Sequence, residues 1–269
     1  ADIHEALCSG ATALLLQSGA PAEIGQLLDG VVLTAVGLGL EGEAATPAHY
    51  RTIIERANAQ GEAADRLDLD AGLDALTQAD EGLALHAAAP AGHRLFRIDG
   101  WAQHNFGLTA AQELGYVLAD VAELFRAAES AGIAAADIAG RVSVRLALPA
   151  DMFAGIAACR AMRRVWDGIL LACGIDTVPV RIEGFASLRM MSVLDHEVNM
   201  LRTTTALLGG AIGGADAMAG FGHDLLTGET PGARRTARLA QVLMMAESEI
   251  ARSLDPVSYT HLTLPTNAC

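Results

Sequence analysis

The sequence predicts a TIM-type (β/α)8 parallel barrel that is short of one strand. Short apolar runs alternate with amphipathic helical stretches almost throughout, the pattern of a parallel sheet with helices outside it. Seven such runs can be counted, where a closed barrel needs eight. The competing fold, an open doubly wound sheet, gains little, because no Gly-x-Gly-x-x-Gly follows any of the runs.

Ala13-Leu14-Leu15-Leu16 reads as a short buried strand, followed by a helix over 23–28. Residues 31–36 read as the next strand, and Pro47, a favourable first-turn residue, opens a helix that runs to about 58. Arg66-Leu67-Asp68-Leu69 is the third strand candidate and 93–98 the fourth, ending at Asp99-Gly100-Trp101. Thr109 caps a long helix with Leu114, Leu118, Val121 and Phe125 on one face, stopped at Gly132. The β-rich run 141–148 ends at Pro149. Asp151 then caps a helix that carries Phe153, Ile156, Cys159 and Trp166 and ends near Cys173-Gly174. Residues 178–185 and 216–221 are the last two strands. Between them, Asp195 offers an N-cap to a helix with Leu201, Thr205, Leu208 and Ile212 at helical spacing, and Gly213-Gly214 stops it. The last helix spans about 232–253.

Composition narrows the function. The chain has 269 residues, 52% hydrophobic and 4% aromatic, with a net charge of −14. That charge argues against a nucleic-acid partner, because neutralising phosphates needs basic surface. A small polyanion held by a few local arginines stays compatible with it. No basic segment precedes an apolar run at the start and no uncharged run approaches the length of a membrane span, so a cytoplasmic protein is expected. Cys8, Cys159, Cys173 and Cys269 have no metal-ligand spacing and read as reduced thiols. Ala1-Asp2-Ile3-His4-Glu5 begins inside a helical pattern. From Val257 the string Ser258-Tyr259-Thr260-His261-Leu262-Thr263-Leu264-Pro265 departs from everything before it and resembles a translated sequencing adaptor. The expected organisation is therefore an incomplete barrel domain over 1–256 and a non-native tail over 257–269.

The most informative stretch is Asn199-Met200-Leu201-Arg202-Thr203-Thr204-Thr205, running on to Gly213-Gly214-Ala215-Asp216. Three consecutive β-branched residues are an unusual choice inside a helix. The stretch resembles the methylmalonyl-CoA mutase family. Tyr116-Val117-Leu118-Ala119-Asp120, Arg141-Val142-Ser143-Val144-Arg145, Arg160-Ala161-Met162-Arg163-Arg164-Val165-Trp166 and Arg234-Arg235-Thr236-Ala237-Arg238 fall in the same family order. The resemblance covers about 11–256 and implies that the strand missing from the count is the first, upstream of Ala1.

That resemblance implies an isomerase: a mutase in which adenosylcobalamin supplies radical chemistry and the acyl-CoA threads the barrel. The cobalamin-binding domain, with its Asp-x-His-x-x-Gly motif, is not in this sequence. Asp2-Ile3-His4-Glu5-Ala6-Leu7 begins like the motif but has Leu7 where glycine is required, and His4 reads as a surface helix residue. Catalytic members carry a Tyr-His pair where this chain has Trp101-Ala102, and a His-x-Gln pair where it has Glu183 and Phe185. Ala102 can neither donate nor accept a hydrogen bond, and Trp101 and Phe185 are expected to fill the barrel mouth. His104, two residues on, is not assigned an inward position. Ala110-Ala111-Gln112-Glu113-Leu114-Gly115-Tyr116 resembles the small subunit of heterodimeric mutases, a degenerate barrel paired with a catalytic large subunit. Arg141 matches an arginine that helps to bind CoA and is the one substrate-contact candidate; a pairing with an acidic neighbour is its structural alternative.

Asp99, Glu183 and Asp216 stand near strand ends, where barrel enzymes keep carboxylates, but on three different strands and without clustered His or Cys. The leading expectation is a non-catalytic small subunit of a cobalamin-dependent methylmalonyl-CoA mutase, binding no cofactor itself. Two alternatives stay open: a catalytic acyl-CoA barrel completed by its missing domain, and an unrelated barrel enzyme using Glu183 and Asp216. The tail reading is directly testable. Deleting residues 257–269 should leave the melting temperature unchanged, and a fall of several degrees in a thermal melt would make the tail part of the fold.

Overall fold

A computed structural model describes residues 2–17, 19–248 and 250 of the chain. Seven parallel strands lie in sequential order: β1 (Ala13–Leu16), β2 (Gly37–Leu40), β3 (Asp68–Asp74), β4 (Arg94–Asp99), β5 (Val142–Leu148), β6 (Arg181–Ala186) and β7 (Ala217–Ala219). The helices are α1 (Asp2–Cys8), α2 (Pro21–Leu27), α3 (Pro47–Ala59), α4 (Ala79–His86), α5 (Gly100–Asn105), α6 (Ala110–Ser130), α7 (Ala135–Ala139), α8 (Met152–Ala172), α9 (Asn199–Gly213), α10 (Leu225–Gly228) and α11 (Pro231–Ala246). Strand follows helix in the order the sequence predicts, and the sheet curls into a nearly closed TIM-type barrel that lacks one strand. Among the described residues no helix is long and apolar enough to cross a membrane.

Local chemistry sets the long helices. Thr109 and Gln112 form a reciprocal capping box at the start of α6. Asp151 accepts from the amides of Phe153 (3.0 Å) and Ala154 (3.2 Å) to start α8. The outer core lies between the sheet and these helices, with Val117, Val121, Leu124 and Trp166 fully buried against Phe96, Val144, Leu146 and Ile182. Phe153, expected on the apolar face of α8, is 46% exposed.

Three local expectations are corrected. Residues 31–36 are not a strand: Leu33–Ala35 is a short 3-10 turn, and β2 starts at Gly37. Glycine is a weak strand former, yet crowding inside the barrel selects it here. A Cβ on Gly37 would meet Ala13 Cβ and Asp68 Oδ2 at 3.2 Å, and one on Gly39 would meet Leu15 Cδ1 at 3.0 Å and Arg97 Nη2 at 3.3 Å.

Asp195 is not the cap of α9. It is left-handed (φ 47) and opens a 3-10 turn, His196–Val198, without a side-chain cap bond. Asn199, the first residue of α9, does the anchoring: its Nδ2 donates to the carbonyls of Ser192 (2.8 Å) and His223 (2.9 Å), and its Oδ1 accepts from the Ser192 amide (3.0 Å).

The buried face of α9 is Thr203, Ala206, Leu207, Gly210 and Gly213; Leu201, on the expected face, is 68% exposed. Small residues win because α9 and α8 approach backbone to backbone. A Cβ on Gly209 would sit 2.7 Å from the Met152 carbonyl oxygen, and one on Gly213 would sit 3.0 Å from Ile156 Cα. Thr204 and Thr205 return their hydroxyls to the carbonyls of Met200 (2.7 Å) and Leu201 (3.1 Å), which satisfies two of the three consecutive threonines locally. Gly214 (φ 84) ends the helix as a left-handed cap, as expected.

Between β1 and β7 the ring stays open. A cleft of about 870 Å³ separates them, lined by Leu14 and Leu15 on one side, Ala217 and Ala219 on the other, and Met244 of α11. Both flanking strands present unpaired edges. The two edges differ, so β1 of one molecule can pair with β7 of the next only head to tail, an association that does not close. The 269-residue chain should therefore show light scattering that climbs with concentration without a plateau at the dimer; a monodisperse monomer across the range would contradict the open edge.

Candidate functional site

Alternate residues of each strand point into the barrel, and here the bore is filled by charge. On the register, Arg97 faces Ser143, Asp99 faces Arg145, Arg145 faces Glu183, and Ala147 faces Phe185. The lowest tier, at the N-terminal ends of the strands, holds Asp68 between Arg94 Nη1 (2.5 Å) and Arg181 Nη1 (3.2 Å). Above it, Arg97 contacts Asp70 at 3.1 Å and Glu183 at 3.2 Å. Those contacts are off the line of a hydrogen bond, and Arg97 Nη1 donates instead to the Leu40 carbonyl at 2.6 Å. Ser143 donates its hydroxyl to Asp70 at 2.5 Å.

Above that, Arg145, 1% exposed, donates through Nε and Nη2 to Glu183 (both 3.3 Å) and through Nη1 to Glu41 (3.0 Å), with Asp99 at 3.5 Å. Its guanidinium carbon lies 4.0 Å from the centre of the Phe185 ring, a cation–π contact.

Gly72 makes room for this arrangement. It has φ 64 at the register shift of β3, and a Cβ there would lie 2.0 Å from the Leu40 carbonyl oxygen and 2.7 Å from Arg97 Nη1. The amide of Gly72 donates to Asp70 at 2.7 Å, fixing the carboxylate.

In the two tiers around Arg97 and Arg145, four carboxyl groups (Glu41, Asp70, Asp99, Glu183) surround two guanidiniums. The ionisation follows the imbalance. Burial pushes Glu183 up, against the pull of Arg97 and Arg145, and burial likewise raises Asp99. Burial also works to raise Asp70, but Arg97 and the Ser143 hydroxyl outweigh it and hold Asp70 below its ordinary value.

The mouth, at the C-terminal ends of the strands, is covered by rings. Trp101 lies in α5, with centroids 5.9 Å from Phe185 and 5.8 Å from Phe221, and the last two are 6.2 Å apart. Trp101 Nε1 donates to the Ala186 carbonyl at 2.9 Å, which ties α5 across the end of β6. Ala102 sits in the first turn of α5, its amide donating to Asp99.

His104, left unassigned by the sequence, does reach inward. Its Nε2 lies 2.9 Å from Ser187 Oγ and its Nδ1 3.3 Å from Glu113 Oε2. The acid-imidazole-hydroxyl order is that of a nucleophile relay, but Ser187 is 2% exposed and Glu113 Oε1 is taken by the Ala147 amide (2.7 Å). The trio fastens α5 and α6 to the sheet. No sequence signal pointed to it, because Glu113 and Ser187 are 9 and 83 residues away from His104 along the chain.

Arg141 lies just before β5, at the opposite, N-terminal end of the barrel. Its guanidinium donates to the carbonyls of Ala89 (3.1 Å), Pro90 and His93 (3.1 Å), with the Asp137 carboxylate close enough to act on its charge. Asp216 accepts from the Ile182 amide (2.7 Å) and pairs with Arg163 (3.1 Å) at the entry to β7. His4 of α1 lies 2.8 Å, through Nε2, from the Asp29 carbonyl oxygen, an engagement that does not suit ligation of a cobalt centre. Among the described residues no group of three His, Cys, Asp or Glu side chains is arranged to hold a metal ion.

Removing one partner from a buried ionic group leaves the other uncompensated, a loss of about 3–5 kcal/mol. Glu183→Ala should destabilise the chain by about that amount, read by urea denaturation. Glu183 has its folded pKa raised above the ordinary 4.5, so its contribution is present below that value and is lost as pH rises through the raised one. Glu183→Gln should remove that part of the pH dependence, and a variant with an unaltered stability–pH curve would contradict the assignment.

The sequence matches the methylmalonyl-CoA mutase family over residues 85–262. It is 34% identical to the "Probable methylmalonyl-CoA mutase small subunit" of Mycobacterium tuberculosis (strain ATCC 25618 / H37Rv), over 95% of this chain and 45% of the relative. It is also 34% identical to the methylmalonyl-CoA mutase small subunit of Streptomyces virginiae, over 92% and 43%, and 29% identical to the methylmalonyl-CoA mutase of Escherichia coli (strain K12), over 60% and 23%. The chain thus spans under half the length of these curated relatives. A barrel of this topology with a family match across most of its length leads to one conclusion: the chain belongs to the methylmalonyl-CoA mutase family.

Proposed function

We propose that this barrel belongs to the non-catalytic small subunit of a heterodimeric, adenosylcobalamin-dependent methylmalonyl-CoA mutase, and that a catalytic large subunit is its partner. The observation that carries the reading is the filled bore. A threaded acyl-CoA would have to displace the Arg97–Glu183–Arg145 network and then pass the Trp101–Phe185–Phe221 cluster. Burying a thioester chain among ions stripped of their partners is costly. Ala102 gives a migrating thioester carbonyl no hydrogen bond, and neither Glu183 nor Phe185 is free to replace a His-x-Gln pair. Similarity to chains named as small subunits supports the same reading.

The cofactor supplies the radical chemistry of such an enzyme. In this proposal it is held outside the 269 residues, since the mouth of the barrel is closed by aromatic rings and His4 is engaged with Asp29. A cytoplasmic setting and the methylmalonyl-CoA/succinyl-CoA interconversion belong to the same proposal. Arg141 remains the CoA-contact candidate, held at the N-terminal rim by three carbonyls.

The test is coexpression of the full-length small subunit that contains this barrel with a large mutase subunit. Co-purification, with isomerase activity in the pair and none in the small subunit alone, is the expected result. Cobalamin-dependent isomerisation by the small subunit alone would overturn the reading, as would failure to associate. Arg141→Met should weaken CoA binding to the pair if the candidate contact exists.

A further inference from the structure

We propose that His93 is an acid-operated latch: while neutral it pins α3 and the turn before β3 to the start of β4, and on taking a proton it lets them go. The proposal does not rest on the mutase reading.

His93 stands immediately before β4 and is 0% exposed. Its Nε2 lies 2.8 Å from the carbonyl oxygen of Ala64, in the 3-10 turn Ala64–Arg66 that leads into β3. Its Nδ1 lies 2.6 Å from the hydroxyl of Tyr50 in α3, whose ring meets the imidazole edge-on, with centroids 5.7 Å apart. A carbonyl can only accept, so Nε2 carries the proton and Nδ1 is the bare nitrogen that accepts from Tyr50. One donor and one acceptor are all that a neutral imidazole has, and both are used. The backbone carbonyl of His93 accepts from Arg141 at 3.1 Å, so the entry to β5 is tied to the same point.

A second proton can go only to Nδ1. The Tyr50 hydroxyl would then have to turn its own proton away from the ring, in a residue that is 4% exposed. Ionising the hydroxyl is no escape, because burial pushes Tyr50 up to about 12. The surrounding charge gives an imidazolium little help. Arg141 before β5 and Arg94 of β4 repel it, and Asp68 of β3, which attracts it, is already shared between Arg94 and Arg181. Asp65 and Arg66 of the 3-10 turn are both exposed to water.

Burial is the largest influence and holds His93 below the ordinary imidazole value of 6.5, against the opposing pull of the Ala64 bond and Asp68. A group depressed in this way contributes fully above 6.5, and its contribution is lost as pH falls through the lowered value. The bore responds in the opposite sense, since the raised Glu183 and Asp99 keep their contribution in acid. Mild acid therefore loosens the rim around His93 while the bore network holds.

Amide hydrogen exchange tests this on the whole chain, kept dilute to limit association and corrected for the intrinsic pH dependence of exchange. Between about pH 7.5 and about pH 5, the range in which imidazoles titrate, protection should fall in α3 and in the segments 60–67 and 87–95. The expected loss is about tenfold, the equilibrium worth of roughly one buried hydrogen bond, with α6 and α8 unchanged. His93→Gln keeps a donor and an acceptor but cannot take the proton, so it should hold its protection across the range. Tyr50→Phe removes the bond that favours the neutral ring, so its loss should begin at a higher pH than in the parent. No loss in the parent, equal loss in α6 and α8, or the same acid response in His93→Gln would overturn the latch. Should His93→Gln fail to fold, Tyr50→Phe decides alone: an unmoved midpoint there rejects the proposal.

Discussion

Arg145 is the constraint around which the interior is arranged. At 1% exposure its charge has no water to turn to, so Glu183, Glu41 and Asp99 must come to it from β6, from the end of β2 and from β4. Arg97 repeats the demand a tier lower and brings in Asp70 of β3. Together the two guanidiniums tie β2, β3, β4, β5 and β6 across the bore. The backbone yields to them: Gly72 takes a left-handed conformation so that Arg97 can reach the Leu40 carbonyl, and β2 is reduced to alternating glycines beside the same side chain. Buried ion pairs are weak contributors to net stability but strong penalties when half-made. The network therefore specifies which strands sit opposite one another more than it tightens the fold.

The two strands outside the network, β1 and β7, are the ones that flank the open cleft. Their inward residues, Ala13, Leu15, Ala217 and Ala219, are small or aliphatic and bring no charge to the bore. Closure there depends on backbone pairing with one further parallel strand, and the ionic interior has no means of drawing the edges together. A barrel held from within on one side and by edge pairing on the other can persist with a strand missing, but with its liability concentrated at one seam.

The alternation of strands and helices was legible because caps and stops announce themselves. Thr109 with Gln112, Asp151 and Gly214 each do in the structure what their residue type suggests. Where the reading failed, tertiary crowding had overridden local preference. Residues 31–36 look more strand-like than Gly37-Leu38-Gly39-Leu40, yet only the glycines fit against Ala13, Asp68 and Arg97. Leu201 and Leu208 look like the core face of α9, yet α8 passes so close that Gly209 and Gly213 have to face it. In the site, Trp101, Phe185 and Glu183 were visible as odd residues at strand ends. Their partners were not. Nothing in a linear sequence says that Arg145 will meet Glu41, 104 residues earlier, or that His104 will meet Ser187.

The interior also shows how a barrel can fill its bore with charge and keep its fold. An axial channel leaves inward polar groups to be satisfied by ligand or water. Here the same positions satisfy one another, with four carboxyl groups around two guanidiniums, and burial raises Glu183 and Asp99 above the ordinary carboxylate range. The aromatic rings then shield the upper guanidinium from the mouth, with Phe185 4.0 Å from Arg145. These residues depend on one another: without the guanidiniums Glu183 would be an unpaired buried acid, and Phe185 would lose the cation it lies against. The filled bore is thus a coupled solution, and changing any one of these residues would not open a passage through it.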